Sequence, residues 1–295
     1  MKYVVVDENS TSRLSVAVLC KVLSVSRSGF YGWQSRLVGP DHLSRRHQKQ
    51  ELEANVIRVH FESRRIYGYR KVHSVLVNDG TEVSDKKVYD IMSKNNLRSK
   101  TRKAYKPRTT DSNHRNKVSP RIFKIESAEP TKPNEMWAGD ITYVATKEGW
   151  LYLSIFIDLF SRMVVGWAIA DHMRVELVRD SLTMAIKNRE VTPGLIVHSD
   201  QGVQYTAGDY RSLLEVFEFI QSMSRRGNCY DNAFVESFFS QMKKELSKKV
   251  FETKKEAIAE IIDFITNWYN TKRVHSSIGY ISPQDLETKH EALAS

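Results

Sequence analysis

The sequence predicts an α/β protein: a mixed sheet flanked by helices, preceded by an all-α, strongly basic region. Three observations carry this. The charge is divided, since residues 1–132 hold 27 Lys+Arg against 13 Asp+Glu and residues 133–295 hold 18 against 22. The apolar spacing is helical up to about residue 97 and turns into alternating or continuous apolar runs after Pro130 and Pro133. The later elements read as three successive strands, then helix, strand, helix, strand, helix, an order that builds a sheet covered by helices.

Composition bounds the rest. Of 295 residues, 41% are hydrophobic and 27% charged, the balance of an ordinary globular chain rather than a disordered one. At ~100–200 residues per domain, two or three domains are expected. The longest apolar stretch, Trp150 to Ala170, is broken by Asp158, Arg162 and Gly166, so no membrane span is expected. The opening MKYVVVDENS does not read as a signal peptide. Cys20 and Cys229 form no paired motif, which fits a reducing cytoplasm.

From the N-terminus, Val16, Leu19, Val22 and Leu23 mark a short helix, Ser24-Val25-Ser26 breaks it, and Ser26 can cap a second, RSGFYGWQSR. Helix, three-residue turn and helix make a helix-turn-helix pattern, with Arg27 and Ser28 at the start of the candidate recognition helix. An ordinary helical pair has the same outline. Leu52, Val56, Val59 and His60 mark the first helix of a second unit, and Val72, Val75 and Leu76 the next, ended by Asn78-Asp79-Gly80. Ser84 can cap a third, with Val88, Ile91 and Met92 inside and Lys86, Lys87 and Lys94 outside. This unit reads equally as a DNA-binding trihelical module or a helical spacer. From Lys94 to Lys124 there are eleven basic residues, Arg98, Lys100, Arg102 and Lys103 among them, and one acid, Asp111. Such a run attracts a polyanion by counterion release and also suits a solvated linker.

WAGDITYVA alternates as a strand, with Asp140, Thr142 and Val144 on one face. WLYLSIFID is apolar on both faces, hence internal, and MVVGWAIA is a third strand. VELVRDSLTMAIKNR follows as a helix and LIVHSD as a buried strand. Asp209 to Glu215 suggests a short helix, Glu218 to Met223 a strand and Asp231 to Lys248 a long helix. Thr253 with Glu256 forms a capping box before Ile258, Ile261, Ile262, Ile265, Trp268 and Tyr269. The tail NTKRVHSSIGYISPQDL reads as a loop, with Trp268 and Tyr269 expected to pack.

Acids inside apolar elements need a reason, because a buried unpaired charge is costly. Asp140 lies within a strand, Asp158 and Asp200 end very apolar strands, and Glu236 borders the helical stripe Val235, Phe239, Met242 and Leu246. Glu236, Ser240 and Lys243 share one neighbouring face. Carboxylates gathered without a basic partner suit a divalent cation, and oxygen ligands select Mg²⁺ or Mn²⁺. Such metals promote phosphodiester chemistry. Asp158 competes as a turn residue before Arg162, and His198 reads as a packed histidine. No zinc-type cluster, Gly-rich phosphate loop or serine elbow is visible.

WAGDITYV, LYLSIFIDLFSRMVVGWAI, VHSDQGVQY and NCYDNAFVESFFSQMKKE together strongly resemble the catalytic region of bacterial insertion-sequence transposases of the OrfB type. These belong to the DDE superfamily, with a retroviral-integrase-like, ribonuclease-H-like core. LCKVLSVSRSGFYGW, RRIYGYRKV and YNTKRVHSSIGYISP resemble the same family, so the likeness spans about residues 15–285. It implies metal-ligand and catalytic roles for Asp140, Asp200 and Glu236, the last two with the family's spacing of 35 intervening residues. It implies a DNA contact for Lys243, binding of terminal inverted repeats, Mg²⁺-dependent strand cleavage (Mn²⁺ as substitute), and attack of the freed 3′-OH on another phosphodiester. The partners implied are double-stranded DNA, further copies of the chain on that DNA, and the product of an upstream reading frame, fused or associated. The protein is expected in the bacterial cytoplasm at the nucleoid, with no membrane partner.

The expected division is a helix-turn-helix unit at 1–45, a second helical DNA-binding unit at 46–105, a basic linker at 106–132, a ribonuclease-H-like core at 133–248 and a helical tail at 249–295. Two other readings stay open: a structure-selective nuclease on the same core, and a DNA-binding regulator or inhibitor of transposition made without the upstream frame.

Overall fold

Serines set where the N-terminal helices begin. In the computed structural model, which describes residues 2–10, 14–38, 40–100, 118–122, 130–225 and 233–294, Ser15 Oγ accepts from Val18 N–H at 3.4 Å and opens helix α2 (Val16–Val22). Ser26 Oγ accepts from Gly29 N–H at 3.0 Å and opens α3 (Arg27–Val38). Between them Ser24 has φ 52°, a left-handed turn position without glycine. A preceding helix, α1 (Lys2–Asn9), is an addition to the expected elements. Its sequence has no cap signal. Val6 is fully buried against Cys20 and Phe30, and the Tyr3 ring lies 6.3 Å from that of Phe30, so tertiary packing holds this short helix.

Helices α4 (Pro40–Glu62), α5 (Tyr69–Asn78) and α6 (Asp85–Lys94) follow, α4 running through the expected division at residue 45. Ser84 Oγ accepts from Lys87 N–H at 3.3 Å, as its cap position requires. Leu52, Val56, Val72, Leu76, Val88 and Met92 are buried. They do not form a separate core. They share one apolar cluster with the sheet and with Phe264, Ile265 and Trp268 near the C-terminus. Polar contacts reinforce the joint. Arg64 Nη2 donates to Asp263 Oδ2 at 2.6 Å, Val274 N–H donates to Tyr67 Oη at 2.8 Å, and Asn78 Nδ2 donates to the Tyr280 carbonyl at 3.1 Å.

The sheet is built from β1 (Met136–Thr146), β2 (Gly149–Asp158), β3 (Val164–Ala170), β4 (Ile196–Ser199) and β5 (Ile220–Met223), in the order β3-β2-β1-β4-β5. β2 is antiparallel to β1 and β3, whereas β4 is parallel to β1 and to β5. A short β6 (Val250–Phe251) pairs with the far end of β1. This mixed order is the ribonuclease-H-like arrangement. One face, with Trp137, Phe156 and Val165, packs with α7 (Val175–Asn188), the turn α8 (Val203–Thr206) and α9 (Gly208–Val216). The other, with Ala138, Ile155 and Ile157, shares its core with α10 (Ala233–Glu245) and α11 (Lys254–Asp263). Residues 118–122 run along the β5 edge: Ile122 N–H donates to Ser222 Oγ at 3.1 Å and Met223 N–H to the Pro120 carbonyl at 3.4 Å. Such cover blunts an open sheet edge.

β3 and α7 touch through Gly166. A Cβ there would stand 2.2 Å from the Ser181 carbonyl oxygen and 2.6 Å from Ala185 Cβ. Gly166→Ala is therefore expected to overpack this joint at a cost of ~1–3 kcal/mol, read as a fall of several degrees in Tm by calorimetry.

Thr253 Oγ1 accepts from Glu256 N–H at 3.1 Å, and α11 passes into a π-helical turn, Phe264–Tyr269. The expected loop holds from Asn270 to Ser282 and is corrected only at its end. Residues from Pro283 form α12 (Pro283–Ala294), capped by Ser282, whose Oγ accepts from Asp285 N–H at 3.1 Å and donates to Asp285 Oδ2 at 2.7 Å. Ser-Pro-Gln-Asp is a helix start with proline in the first turn. Trp268 and Tyr269 are buried, as expected.

Candidate active site and nucleic-acid faces

Parallel pairing puts two acids side by side. β1 and β4 pair in register from Met136↔Ile196 to Ala138↔His198, so Asp140 and Asp200 stand level two residues further on. Both carboxylates are shaped by their own backbone: Asp140 Oδ1 accepts from Ile141 N–H at 2.7 Å and Asp200 Oδ1 from Gly202 N–H at 2.9 Å. Glu236 lies exposed in the first turn of α10, while Val235, Phe239 and Met242 fix that helix on the sheet.

The three acids feel one another. Burial raises the Asp140 pKa well above the carboxylate range, and the charges of Asp200 and Glu236 raise it further. The Ile141 N–H and the Lys243 ammonium oppose that rise. Lys243, two turns beyond Glu236, is pulled down by burial while Asp140 pulls it up, and its Nζ sits 4.9 Å from the Tyr143 ring centre. Beneath, the Tyr205 hydroxyl is buried near Asp140 and Asp200, which together with desolvation keep it protonated. The donor set is oxygen-only and mutually repulsive, which suits a hard divalent cation in kind. Among the described residues, no three acid, histidine or cysteine groups converge into a closed metal shell.

The two competing residues have structural work. Asp158 pairs with Trp137 across β1 and β2, whereas Asp140 pairs with Ile155, so their side chains leave opposite faces of the sheet. Asp158 accepts from Asn134, Phe160 and Ser161 N–H at 2.7, 2.8 and 3.2 Å, with Arg189 Nη2 at 3.9 Å. Arg189 in turn forks onto Glu287 of α12 at 2.6 and 2.9 Å. His198 is buried with Nδ1 3.0 Å from Ser222 Oγ.

Of the basic residues, Arg27 and Ser28 are exposed at the start of α3, and Lys86 and Lys87 on the first turn of α6. Arg98 and Lys100 are exposed just after α6; Arg102 and Lys103 lie outside the described residues. The described ones lie exposed on different elements, α3, α6 and the segment after α6. Residues the sequence reading passed over are Tyr205, Lys71, Arg162, Arg273 and His275, the last four around one cavity. Lys71, Arg273 and His275 stand in RRIYGYRKV and RVHSSIGY, whose periodicity gave no reason to bring them together.

Comparison with known proteins gives matches over most of the chain. Residues 130–229 and 219–283 match models described as integrase core domains, and residues 47–105 match an HTH-like domain. The transposase for insertion sequence element IS904 of Lactococcus lactis is 42% identical over 254 residues, covering 83% of this chain and 98% of that protein. Transposase InsF for insertion sequence IS3A of Escherichia coli is 36% identical over 294 residues, 99% of this chain and all of the relative. Among solved structures, the HTLV-2 integrase catalytic core in complex with magnesium aligns with a TM-score of 0.42 at 16% identity, over 53% of this chain and 98% of that one.

Proposed function

The chain belongs to the insertion-sequence transposases with an integrase core behind an HTH-like domain, and from that premise we propose how it acts on DNA. It binds the terminal inverted repeats of its element, cleaves a strand to expose a 3′-OH, and joins that hydroxyl to a second phosphodiester. The observation that supports this reading is the level placement of Asp140 and Asp200 with Glu236 within electrostatic reach.

Asp140, Asp200 and Glu236 would hold Mg²⁺, with Mn²⁺ as substitute. Bound there, the cation supplies charge neutralisation and activation of an attacking oxygen. The residues themselves do the rest. Asp140 and Asp200 are fixed by backbone N–H groups, so their oxygens keep one orientation. The buried Tyr205 hydroxyl, its pKa raised by desolvation and by the charges of Asp140 and Asp200, stays protonated near them. Lys243 keeps a cation beside Asp140, where it meets a DNA phosphate. In cleavage, water forms a P–O bond as the 3′-oxygen leaves and takes a proton. In joining, the 3′-OH forms the new P–O bond as the target's bond breaks. One ester replaces another, so no nucleotide is consumed.

Arg27, Ser28, Lys86, Lys87, Arg98, Lys100, Arg102 and Lys103 supply the DNA contacts on the two helical units. The active form is an oligomer on DNA that includes the upstream-frame product, working in the bacterial cytoplasm at the nucleoid. Among the described residues no helix is long and apolar enough to cross a membrane.

A joining assay tests the reading: protein with and without the upstream frame fused, a labelled element-end oligonucleotide, supercoiled plasmid and Mg²⁺. Joined product is expected. End binding without joining, even with the fusion, would overturn it in favour of a regulator. Lys243→Ala is expected to weaken end binding by roughly tenfold, the scale of one charge-assisted contact, with Mn²⁺ binding little changed by calorimetry.

A further inference from the structure

A second cavity, of about 380 Å³, opens on another side of α10, between α5, the turn from β2 to β3, and the tail. Its wall is cationic. Lys71, Arg162 and Arg273 line it together with His275. Each is held in place. Arg162 takes a left-handed backbone, φ 67°, and its guanidinium lies 3.9 Å from the Phe234 ring centre. Lys71 Nζ stands 5.1 Å from the Tyr67 ring. Arg273 forks onto Glu245, with Nε and Nη2 donating to Oε1 at 3.0 and 2.8 Å. Glu245 is the acid that acts on Lys71 and Arg273, and the fork on Arg273 already uses it.

The imidazole shows what the cavity wants. His275 is 7% exposed, and Arg273 Nη1 lies 3.5 Å from its Nδ1. A guanidinium only donates, so Nδ1 accepts and the proton sits on Nε2. That Nε2–H is buried and has no hydrogen-bond partner among the described residues. Burial and the charges of Arg273, Lys71 and Arg162 hold the ring neutral, with its pKa pushed down to about 2. Burial also lowers Lys71 to about 8, with Arg273 adding to the fall. Crowded cations and an orphaned donor are costly without an anion.

The cavity's extent indicates the anion. A neighbouring cavity of about 330 Å³ is lined by Tyr69 and Arg70, and Lys71 and Arg273 border both. The two adjoin at Lys71 and Arg273 as a groove whose combined lining is basic and aromatic, a composition that suits a polynucleotide backbone better than a single small ion. We propose that this groove seats backbone phosphates of DNA, contacted by Lys71, Arg162 and the Nε2–H of His275. The transposase reading supplies only the identity of the polymer; the phosphate site stands on the groove itself.

The test is an imidazole ¹⁵N–¹H titration of the full-length protein without metal, with the His275 signal assigned through His275→Gln. The probes are inorganic phosphate and a 20-base-pair duplex of arbitrary sequence, with duplex binding followed in parallel by anisotropy. Both probes are expected to shift the signal. Lys71→Gln is expected to weaken both effects by about tenfold and Lys71→Arg to restore them, as one charged contact predicts, with unchanged thermal unfolding marking intact folds. A shift with phosphate alone overturns the DNA assignment and leaves a site for free phosphates. DNA that binds by anisotropy without moving His275 overturns the groove and spares the transposase reading. DNA that fails to bind at all overturns both.

Discussion

Glu236→Gln is expected to join no DNA ends, a loss of roughly 10³-fold or more, while its affinity for those ends stays within about twofold. The change keeps shape and removes one negative charge from the set that acts on Asp140. Glu236 is exposed at the start of α10, so the fold has little stake in it and the loss reads as chemistry rather than unfolding. Joining and end binding, measured on the same preparation, check this. A variant that still joins ends would remove Glu236 from the site, and one that loses DNA binding in proportion would make it a binding residue.

Arg273→Met is expected to be the most destabilising single change, by ~3–5 kcal/mol, because it strands Glu245 as a buried charge. The side chains of Arg273 and Glu245 are only 7% and 6% exposed. Among the described residues, what remains to Glu245 is the Trp268 indole N–H at 3.0 Å and the more distant charge of Lys71. Arg273→Met with Glu245→Met is expected to recover most of the loss, since two apolar side chains replace a matched pair. Urea unfolding of the single and double variants measures both. A single variant as stable as the parent would mean that water already reaches this pair.

Much of this was legible from side-chain spacing. Ser26, Ser84 and Thr253 announced their helices because a capping oxygen needs only local geometry. Alternation in WAGDITYVA gave the strand, and the stripe Val235, Phe239 and Met242 gave the buried face of α10. The approach of Asp140 to Asp200, two residues beyond the last β1–β4 pair, was not legible, because register between distant strands is a property of the sheet. That Asp158 and Asp140 leave opposite faces of the sheet was not legible either, since it depends on how β2 pairs with β1. Helix α1 escaped notice because its stability comes from Phe30, more than twenty residues away. A helical tail was expected, but the start of α12 was read as loop although Ser282 and Asp285 spell its cap; the preceding turn residues masked it. The cavity around His275 joins residues from α5, α10, a turn and the tail, a set that no local period links.

The apolar cluster that runs from Leu52 and Val88 through the sheet to Trp268 makes α4–α6 and the acids parts of one solid. On the proposed reading, the distance from the α6 lysines to Asp140 is then set by packing rather than by the chain between them. If the proposal holds, the protein behaves as a fixed gauge: where it grips the element sets where it cuts. Shaving Phe264 or Trp268, which belong to that shared cluster, would blur the offset.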